Sequence, residues 1–198
     1  DYEMRRAELV LKGKGPGNFE WVAGYDAKAD KWLDVNAKYK IQGNANHFFQ
    51  VGQFKQLNSM EELSSTKNND FVAKASVTNT FGISRRLGAM YQYGDNNWAI
   101  AGSMFTRELT EHPSPTPHGI GWGVRGYWAP INTAGSIFHI GASYNDYDTD
   151  SDTVQWRARP LADLSNRIID TGSLKNTDRV STWGLESMWV HGPFKLQG

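Results

Sequence analysis

Charged side chains recur along the sequence at positions that alternate with apolar residues. The cations among them are Arg6, Lys12, Lys38, Lys40, Arg86, Arg107 and Arg125, and the carboxylates are Glu8, Glu20, Asp26, Asp34 and Glu186. Arginine offers a planar fork of N–H donors that matches phosphate oxygens, whereas lysine offers a compact point charge. A face that carries these groups would border water and sort dissolved ions by their charge. Arg5 and Arg85 fall on the apolar side of the alternation, so we expect them at an interface or a subunit contact.

The sequence lacks the residue arrangements that nucleophilic or metal-dependent catalysis requires. It contains no cysteine, no nucleophile elbow and no zinc-binding helix motif. The histidines of EHPSPTPH, residues 111–118, lie in a proline-stiffened segment that we interpret as an external loop rather than a metal site. The acidic run NDYDTDSDT, residues 145–153, lacks the central glycine and terminal glutamate of a calcium loop. We therefore expect no enzymatic activity, no metal and no cofactor.

The overall composition narrows the class of protein further. Lys plus Arg and Asp plus Glu both number 21, which gives a formal net charge of zero and argues against a nucleic-acid partner. The mean hydropathy is −0.58, and no run of apolar residues is long enough for a transmembrane helix. Membrane-spanning strands remain compatible with this composition, because alternating strands average to a polar value. No signal peptide precedes DYEMRRAELVL, so we interpret the chain as mature or incomplete.

Strand-like runs, rather than helical stripes, account for most of the sequence. They cover residues 3–12, 19–28, 32–41, 47–55, 83–93, 97–108, 119–128, 136–147, 179–191 and 194–198. In the third run, one face is predicted to carry Leu33, Val35, Ala37, Tyr39 and Ile41. In the seventh run, Trp122 and Trp128 share one face and Arg125 lies on the other. Runs of about ten residues exceed the usual five or six of soluble strands and suit a tilted membrane crossing.

From the fourth run onward, the links between the runs alternate strictly between short and long, and the one exception before it is the short link at 29–31, where a long one is expected. Short links with turn residues fall at 13–17, 42–46, 94–96, 129–135 and 192–193, and long links at 56–82, 109–118 and 148–178. Bacterial outer-membrane barrels have short turns on one side and long loops on the other. Tryptophan and tyrosine residues near the ends of runs fit the aromatic girdles of such barrels. We therefore predict an all-β, antiparallel transmembrane β-barrel in which Arg125 faces the lumen, since an arginine facing lipid at mid-membrane costs about 2–4 kcal/mol.

The last run, FKLQG, is too short to span a membrane, and a closed barrel leaves no strand edge in lipid. We therefore expect the chain to represent roughly half of a larger barrel.

Several motifs, in order along the chain, carry a resemblance to a known family. They are RRAELVLKG, VGQF, MEELSSTK, RARP and WGLESMW. In these motifs the sequence resembles the phosphate- and polyphosphate-selective porins of the O/P type. The resemblance implies a homotrimeric outer-membrane channel in which each subunit is a barrel of about sixteen strands, with about ten represented here. It also implies small anions, outer-membrane lipid and lipopolysaccharide as partners.

The resemblance further implies where substrate would bind. It identifies residues 56–82 as a constriction loop folded into the pore, with Ser65 and Thr66 at the family's serine pair and Lys74 at a loop arginine. Arg5 and Arg6 match paired arginines, and Arg157 and Arg159 match two members of an arginine ladder. Together with the lumenal Arg125 and two further lysines, the expected substrate-binding residues are Arg6, Lys55, Ser65, Thr66, Lys67, Lys74, Arg125, Arg157 and Arg159.

The sequence also departs from the family pattern. Glu62 stands where the family has a phosphate-binding lysine, Gln53 where it has an arginine, and Leu161 where it has a third ladder arginine. Glu62 would repel phosphate unless Lys67 or Lys55 neutralises it. The resemblance implies an anion-selective porin for phosphate or polyphosphate. A general, non-selective porin and a soluble β-sandwich that binds carbohydrate on its aromatic faces stay open as alternatives.

Overall fold

A computed structural model describes residues 4, 6–65, 70, 74–112, 119–149, 152–159 and 165–198. Its principal feature is one antiparallel sheet of ten strands, confirming the predicted all-β class. The strands of this sheet are β1 (Glu8–Lys14), β2 (Phe19–Asp26), β3 (Lys31–Lys40), β4 (Phe48–Lys55), β5 (Arg85–Gly94), β6 (Trp98–Phe105), β7 (Gly121–Thr133), β8 (Ser136–Asp148), β13 (Arg179–His191) and β14 (Phe194–Gln197). Two small antiparallel pairs, which we call the small hairpins, lie between β8 and β13: β10 (Arg157–Ala158) pairs with β11 (Ile169–Asp170), and β9 (Thr153–Val154) pairs with β12 (Leu174–Lys175) on either side of them in the chain.

The strands of the large sheet follow one another in chain order. The order is β1-β2-β3-β4-β5-β6-β7-β8-β13-β14, so hairpins build the whole sheet. Within the described residues β1 and β14 are its two edges and do not pair with each other. Short turns join β1 to β2, β3 to β4, β5 to β6, β7 to β8 and β13 to β14 at one end of the sheet. The long links lie at the opposite end, as the alternation of link lengths predicted.

Helices are short and confined to the links. Helix α1 spans Met60–Leu63 and α2 spans Ser76–Phe81, and single 3-10 turns cover Ile41–Gly43 and Leu109–Glu111. Segments this short leave no stripe of helical period, which is why periodicity did not predict them. Among the residues that the structure describes, no helix is long and apolar enough to cross a membrane.

The two faces of the sheet differ in chemistry, as the alternation predicted. On β6, Ile100 and Met104 are 57% and 62% exposed, whereas the intervening Ala101 and Ser103 are buried. On β13, Trp183 and Leu185 remain 76% and 75% exposed. Large side chains of neighbouring strands thus form a wide exposed apolar surface, which soluble monomers rarely present. We call this the apolar face, and the opposite one, which carries Ser103 and Arg125, the polar face.

The apolar face distinguishes this sheet from a β-sandwich. In a sandwich, two sheets pack their apolar faces together about 10 Å apart. Here the apolar side chains are exposed, and within the described residues the only other ladders are the two small hairpins. The alternative of a soluble sandwich therefore does not match the architecture.

A β-bulge between β2 and β3 moves one predicted residue to the other face. Ala23 pairs with Val35 and Tyr25 with Trp32, so β3 carries one extra residue across this interval. Leu33 is therefore buried, and Trp32 takes the exposed position beside Tyr25, with ring centroids 5.2 Å apart. The predicted grouping of Leu33 with Val35 was wrong, because simple alternation assumes a period of two that a bulge interrupts.

Some predicted boundaries also differ from the structure. The first run was expected to begin at residue 3, but β1 begins at Glu8. Residues 129–133 were expected in a turn, yet β7 continues through them to Thr133 after a register shift between Trp128 and Ile131. That shift surrounds Pro130, which has no N–H for the ladder. The strand therefore passes the proline with a bulge and turns only at residues 134–135.

Glycines on the polar face of β7 and β8 allow long side chains to lie flat on the sheet. An added Cβ on Gly123 would lie 2.1 Å from Oδ1 of Asn145, and one on Gly141 would lie 2.5 Å from Oε1 of Glu186. These approaches are shorter than van der Waals contact, so a larger residue at either position would displace the polar side chain above it. The polar face is thus shaped to hold specific polar groups against its backbone.

We predict that Gly123→Ala lowers the free energy of unfolding by about 1–3 kcal/mol, the cost of leaving a buried polar group unpaired. The new methyl group would displace Asn145, whose Nδ2 donates to the Leu57 carbonyl at 2.9 Å. Urea unfolding of the intact protein in detergent micelles measures the effect. The control is Gly126→Ala on the apolar face, where the nearest atom is 3.7 Å away. Equal destabilisation by both substitutions would contradict the proposed fit.

Candidate functional site: a loop across the polar face

The link between β4 and β5 spans residues 56–84, and its described residues (56–65, 70 and 74–84) lie across the polar face of the sheet. Near its start, the Leu57 carbonyl accepts a hydrogen bond from Asn145 of β8. Farther along, the Met60 N–H donates to Oε2 of Glu186 on β13 at 2.5 Å. Asp70 then accepts from Nζ of Lys195 on β14 at 2.6 Å. The β4–β5 loop therefore reaches from β4 to successive strands at the far edge of the sheet.

Buried amides close the base of this loop. Asn58 donates to the Ile83 carbonyl at 2.5 Å and accepts from the Ile83 N–H at 3.2 Å, which joins the two ends of the loop. Nε2 of Gln56 donates to the Phe54 carbonyl at 3.2 Å. Beneath them, an apolar cluster packs the loop onto the sheet and consists of Phe48, Phe54, Leu57, Met90 and Ala101. The base is thus fixed by both packing and hydrogen bonds.

Two adjacent glutamates of α1 fasten the loop to itself. Ser59 caps the helix, because its Oγ accepts from the Glu62 N–H at 3.2 Å. Glu61 accepts from the Ala75 N–H at 3.0 Å and from Oγ1 of Thr78 at 2.5 Å. Glu62 accepts from Nζ of Lys74 at 2.5 Å, and both side chains are largely buried. These contacts hold α1 against the segment that leads into α2.

A cluster of charges surrounds Glu62. Lys55 Nζ donates to the carbonyl oxygens of Glu62 and Ser64 at 2.7 and 2.8 Å. Arg85, at the start of β5, was expected at an interface or a subunit contact, but it donates to Oδ2 of Asp34 of its own chain at 3.0 Å and belongs to this cluster. Among the described residues, Lys55 interacts electrostatically with Asp34, Glu62, Lys74 and Arg85. Three cations against two carboxylates leave this cluster, which we call the loop-base cluster, with a positive balance.

A second charged group joins the loop to the wall. Glu186 Oε1 accepts from Nη2 of Arg125 and, at 2.9 Å, from Nε2 of His139, while Oε2 accepts from the Met60 N–H. The side chains of Arg125 and Glu186 are only 10% and 8% exposed. The ring of Tyr127 stacks on that of His139, with centroids 5.2 Å apart. Arg125 lies on the polar face, as predicted, and its charge is balanced by Glu186.

Other predicted cations of the polar face also have carboxylate partners. Lys40 pairs with Glu20 at 2.7 Å and Arg86 with Glu108 at 3.1 Å. Arg6 lies 3.7 Å from Glu8. Lys38 instead lies over the ring of Phe48, 4.0 Å from its centroid. The wall is therefore a mosaic of paired charges and not a continuous basic surface.

The small hairpins place two predicted arginines above α2. Arg157 lies on β10 and Arg159 follows it, both exposed, while Ala158 between them is buried. Trp156 contacts Phe81 of α2, with ring centroids 5.8 Å apart. Asp170 pairs with Arg157 in the β10–β11 ladder. Hydrogen bonds from Gln155 and the Gly172 N–H lower the pKa of Asp170, with smaller contributions from Arg157 and Arg167, so this carboxylate stays ionised beside the arginines.

The expected binding residues thus fall into separate groups. Lys55 and Lys74 meet through Glu62, and Arg125 connects to the same loop through Glu186. Arg157 and Arg159 lie in the β8–β13 link, Arg6 precedes β1, and Ser65 is exposed just after α1. The expected residues Thr66 and Lys67, like Arg5 and Leu161, lie outside the described residues.

Gln53, the residue in place of a family arginine, is fully buried and organises the chain around it. Its Nε2 donates to the carbonyl oxygens of Trp32 and Leu33 at 2.9 and 2.7 Å, and its Oε1 accepts from the Leu109 N–H. Gln53 therefore connects β3 and β4 to the β6–β7 link. The role of Gln53 in these hydrogen bonds is to hold the backbone of neighbouring elements in place.

Some site residues were not singled out from the sequence. Asn145 and His139 lie on the predicted polar face of the eighth run, so alternation could have identified their side but not their partners. The spacing of Ser59 and Glu62 matches a helix N-terminal capping pattern and could have indicated α1. The contacts of Glu61 carried no local signal, because they join residues 14 and 17 positions apart.

Comparison with known proteins gives a consistent family assignment. The sequence profile of the phosphate-selective porins O and P matches residues 1–198. An uncharacterized protein of Caulobacter vibrioides is 29% identical over 205 residues, covering 96% of this chain and 40% of that protein. Porin O of Pseudomonas aeruginosa is 32% identical over 94 residues, covering 37% of this chain and 21% of that porin. The chain therefore spans less than half the length of these curated relatives.

We predict that Lys74→Met destabilises the intact protein by about 3–5 kcal/mol, because it leaves the buried Glu62 carboxylate without its cation. The double variant Glu62→Gln/Lys74→Met should recover part of this loss, which a double-mutant cycle of urea unfolding measures. The comparison pair is Glu20 and Lys40, which is more exposed and should give a coupling of only about 0–1 kcal/mol. Equal coupling free energies in both pairs would show that burial does not strengthen the interaction between Glu62 and Lys74.

Proposed function

The chain belongs to the phosphate-selective porin O and P family, and on this basis we propose that the protein is an outer-membrane diffusion channel for anions, phosphate or polyphosphate among them. The observation that carries the proposal is the β4–β5 loop, which lies across a polar sheet face whose opposite face is apolar. A closed barrel built from such a sheet would place the loop within its lumen. The channel is the property of the whole barrel, of which these strands form one part.

We propose that the β4–β5 loop is the constriction of this channel, as its resemblance to the family's loop implied. Its contacts with Asn145, Glu186 and Lys195 support the assignment, because they hold it away from the wall strands between which it begins and ends. An ion on the polar face would then pass the loop-base cluster at close range. Ser65 lies shortly after α1 and would extend the polar lining of this passage, and the resemblance to the family adds Thr66 and Lys67 as binding residues.

The distribution of charge supports a preference for anions that depends on a few residues. The wall pairs largely cancel, so they contribute little net field along the passage. The positive balance of the loop-base cluster supplies most of the net attraction, and Arg157, which lies beside the ionised Asp170, adds less. Weak sites in series suit conduction, because an ion must leave each site as readily as it enters. Arg157 and Arg159 would collect anions at the mouth, and Lys55 and Lys74 would attract them at the loop.

Glu62 limits how strongly the loop can bind phosphate. Its carboxylate occupies Lys74, and its main-chain oxygen accepts from Lys55. An anion must therefore compete with Glu62 for these lysines. This competition, together with the paired wall charges, is the specific observation that favours the second candidate, a general porin with weak selectivity. The homotrimeric assembly and the lipopolysaccharide environment belong to the same proposal.

We predict that the intact protein in planar bilayers shows a reversal potential in a KCl gradient that indicates preference for chloride. Glu62→Gln should raise the ratio of chloride to potassium permeability by about two- to fivefold, since a unit charge contributes about 1 kcal/mol at 4 Å in water. Phosphate added to the bath should reduce the chloride current more strongly in this variant, because Lys74 is then available to the ion.

Glu20→Gln serves as the control for this experiment, because Glu20 also pairs with a lysine but lies near the short-turn end of the sheet. It should change the permeability ratio less than Glu62→Gln does. Cation preference in the unaltered channel would refute the proposed function. Equal shifts in the two variants would instead show that the β4–β5 loop does not control selectivity.

A further prediction concerns the face that contacts lipid. Leu185→Lys on the apolar face should reduce the free energy of folding into lipid vesicles by about 2–4 kcal/mol, the cost of a lysine near the bilayer midplane. Gln92→Lys is the control, because Gln92 pairs with Phe48 and Ala101, both buried on the polar face. Reversible urea titration of folding measures both. A larger loss from Gln92→Lys would invert the assignment of the two faces.

A further inference from the structure

A cavity lies between the polar face of the sheet, at its long-link end, and strand β9. Among the described residues, the ends of β5, β6, β7 and β8 form one wall, and β9 with the following Gln155 forms the other. The cavity measures about 230 Å³, somewhat below the range of about 300–1,000 Å³ that is usual for drug-sized ligands. It therefore suits a small ligand, and we call it the β9 cavity.

Two arginines that were predicted on the polar face line the β9 cavity. Arg107 follows β6, and its carbonyl accepts from the N–H of Leu87, the residue after Arg86, at 3.0 Å. Nη1 of Arg86 donates to Oε1 of Glu108 at 3.1 Å and to the Arg85 carbonyl at 3.0 Å. Within the described part of the chain, its Nε and Nη2 are left to a ligand. Guanidinium groups bind phosphate oxygens through such paired N–H donors.

A hydroxyl group of the lining is also suited to a ligand. Oγ1 of Thr106 is buried and makes no hydrogen bond to the residues that the structure describes. Buried polar groups in folded proteins nearly always have a hydrogen-bond partner, so an exception needs a physical explanation. A ligand whose oxygens accept from the arginines of the cavity could accept from this hydroxyl as well.

Asp148 is the acidic residue among the described lining residues, and both of its oxygens have partners. Oδ1 accepts from Nη1 of Arg179, and Oδ2 accepts from the Ile120 N–H at 3.1 Å. Neither partner belongs to the described lining of the cavity. An anion in the cavity would therefore meet a carboxylate whose charge already faces a cation outside it.

The cavity also has an apolar part. Phe105 and Val154 line it, together with Gly121 and the ring of Tyr147. An added Cβ on Gly121 would lie 2.4 Å from the Phe105 ring and 2.7 Å from Cβ of Tyr147, so the glycine makes room for both side chains. Inorganic phosphate presents no apolar surface to such a wall. The mixed lining matches an anion that carries a carbon skeleton.

We propose that the β9 cavity binds a small organic phosphate monoester, with the phosphoryl group held by Arg86, Arg107 and Thr106 and the carbon skeleton against Phe105 and Val154. A phosphoryl group suits these three donors because it offers three strong acceptor oxygens, whereas a carboxylate offers two. None of the described lining residues belongs to the set expected to bind substrate. The proposal goes beyond the proposed channel, because binding in this cavity requires no transport.

The test is the binding of glycerol 3-phosphate to the intact protein in detergent micelles, measured by isothermal titration calorimetry. It should bind about fivefold more tightly than inorganic phosphate, because its carbon skeleton buries apolar surface. Glycerol, which lacks the charge, should not bind measurably. Arg86→Gln and Arg107→Gln should each weaken binding about tenfold, as expected for the loss of a charged hydrogen bond.

Val154→Trp fills the cavity without changing its charge and should abolish the binding of glycerol 3-phosphate. The matched control is Lys175→Gln, because Lys175 is exposed and pairs with Thr153 in the β9–β12 ladder but does not belong to the described lining. It should change the affinity less than about twofold, since an exposed charge contributes little. Unchanged affinity in Val154→Trp would overturn the site. Equal affinities for glycerol 3-phosphate and inorganic phosphate would overturn the ligand class.

Hydrogen exchange of the unaltered protein locates the ligand without any variant. Glycerol 3-phosphate should slow exchange in residues 119–123 and 152–155. Protection confined to residues 56–65 would place the ligand at the β4–β5 loop and overturn the proposal. Reversal potentials in planar bilayers separate this proposal from the channel. Cation preference there would refute the proposed function, while calorimetry and hydrogen exchange would still decide whether the cavity binds its ligand.

Discussion

The two-residue period of a β-strand is the constraint on which the rest of this structure depends. Each strand presents successive side chains to opposite faces, so one sequence can satisfy lipid on one side and water on the other. Backbone groups pair from strand to strand, leaving the side chains alone to distinguish the faces. Trp183 and Glu186 illustrate the outcome. They lie three positions apart on β13 and therefore on opposite faces, where the indole is exposed and the carboxylate is buried. The polar face can then carry a loop and its charged partners without disturbing the apolar one.

Local pattern was sufficient to predict the sheet wherever the period is unbroken. The predicted bounds of the ninth run coincide with β13, and those of the eighth nearly coincide with β8. The pattern failed where a bulge inserts a residue, as at Leu33, and where a strand continues past a proline, as at Pro130. The position of a bulge depends on the packing of neighbouring strands, and a bulge produces no periodic pattern in a single sequence. Prediction from the sequence therefore fails where the hydrogen-bond ladder is irregular.

The candidate site was predictable in composition but not in arrangement. The alternation placed Arg125 and Glu186 on one face, yet their pairing joins residues 61 positions apart. The resemblance drew attention to Lys74 and Glu62, but not to the contact between them. Their pairing reverses a simple inference from residue type, because a lysine that holds a carboxylate offers less attraction to a passing anion. The number of cations on the polar face therefore overestimates its net positive electrostatic potential.

Every strand of the large sheet pairs with its neighbours in the chain, apart from the two small hairpins between β8 and β13. The repeating unit of the wall is consequently a hairpin that carries its own register and its own turn. The diameter of a barrel grows with the number of its strands. Duplication or deletion of one such unit would change the calibre of the pore in steps of two strands, while the pairing of the remaining hairpins stayed as it was. In a barrel built from such hairpins, serial pairing would allow the number of strands to change without altering the pairing of the others.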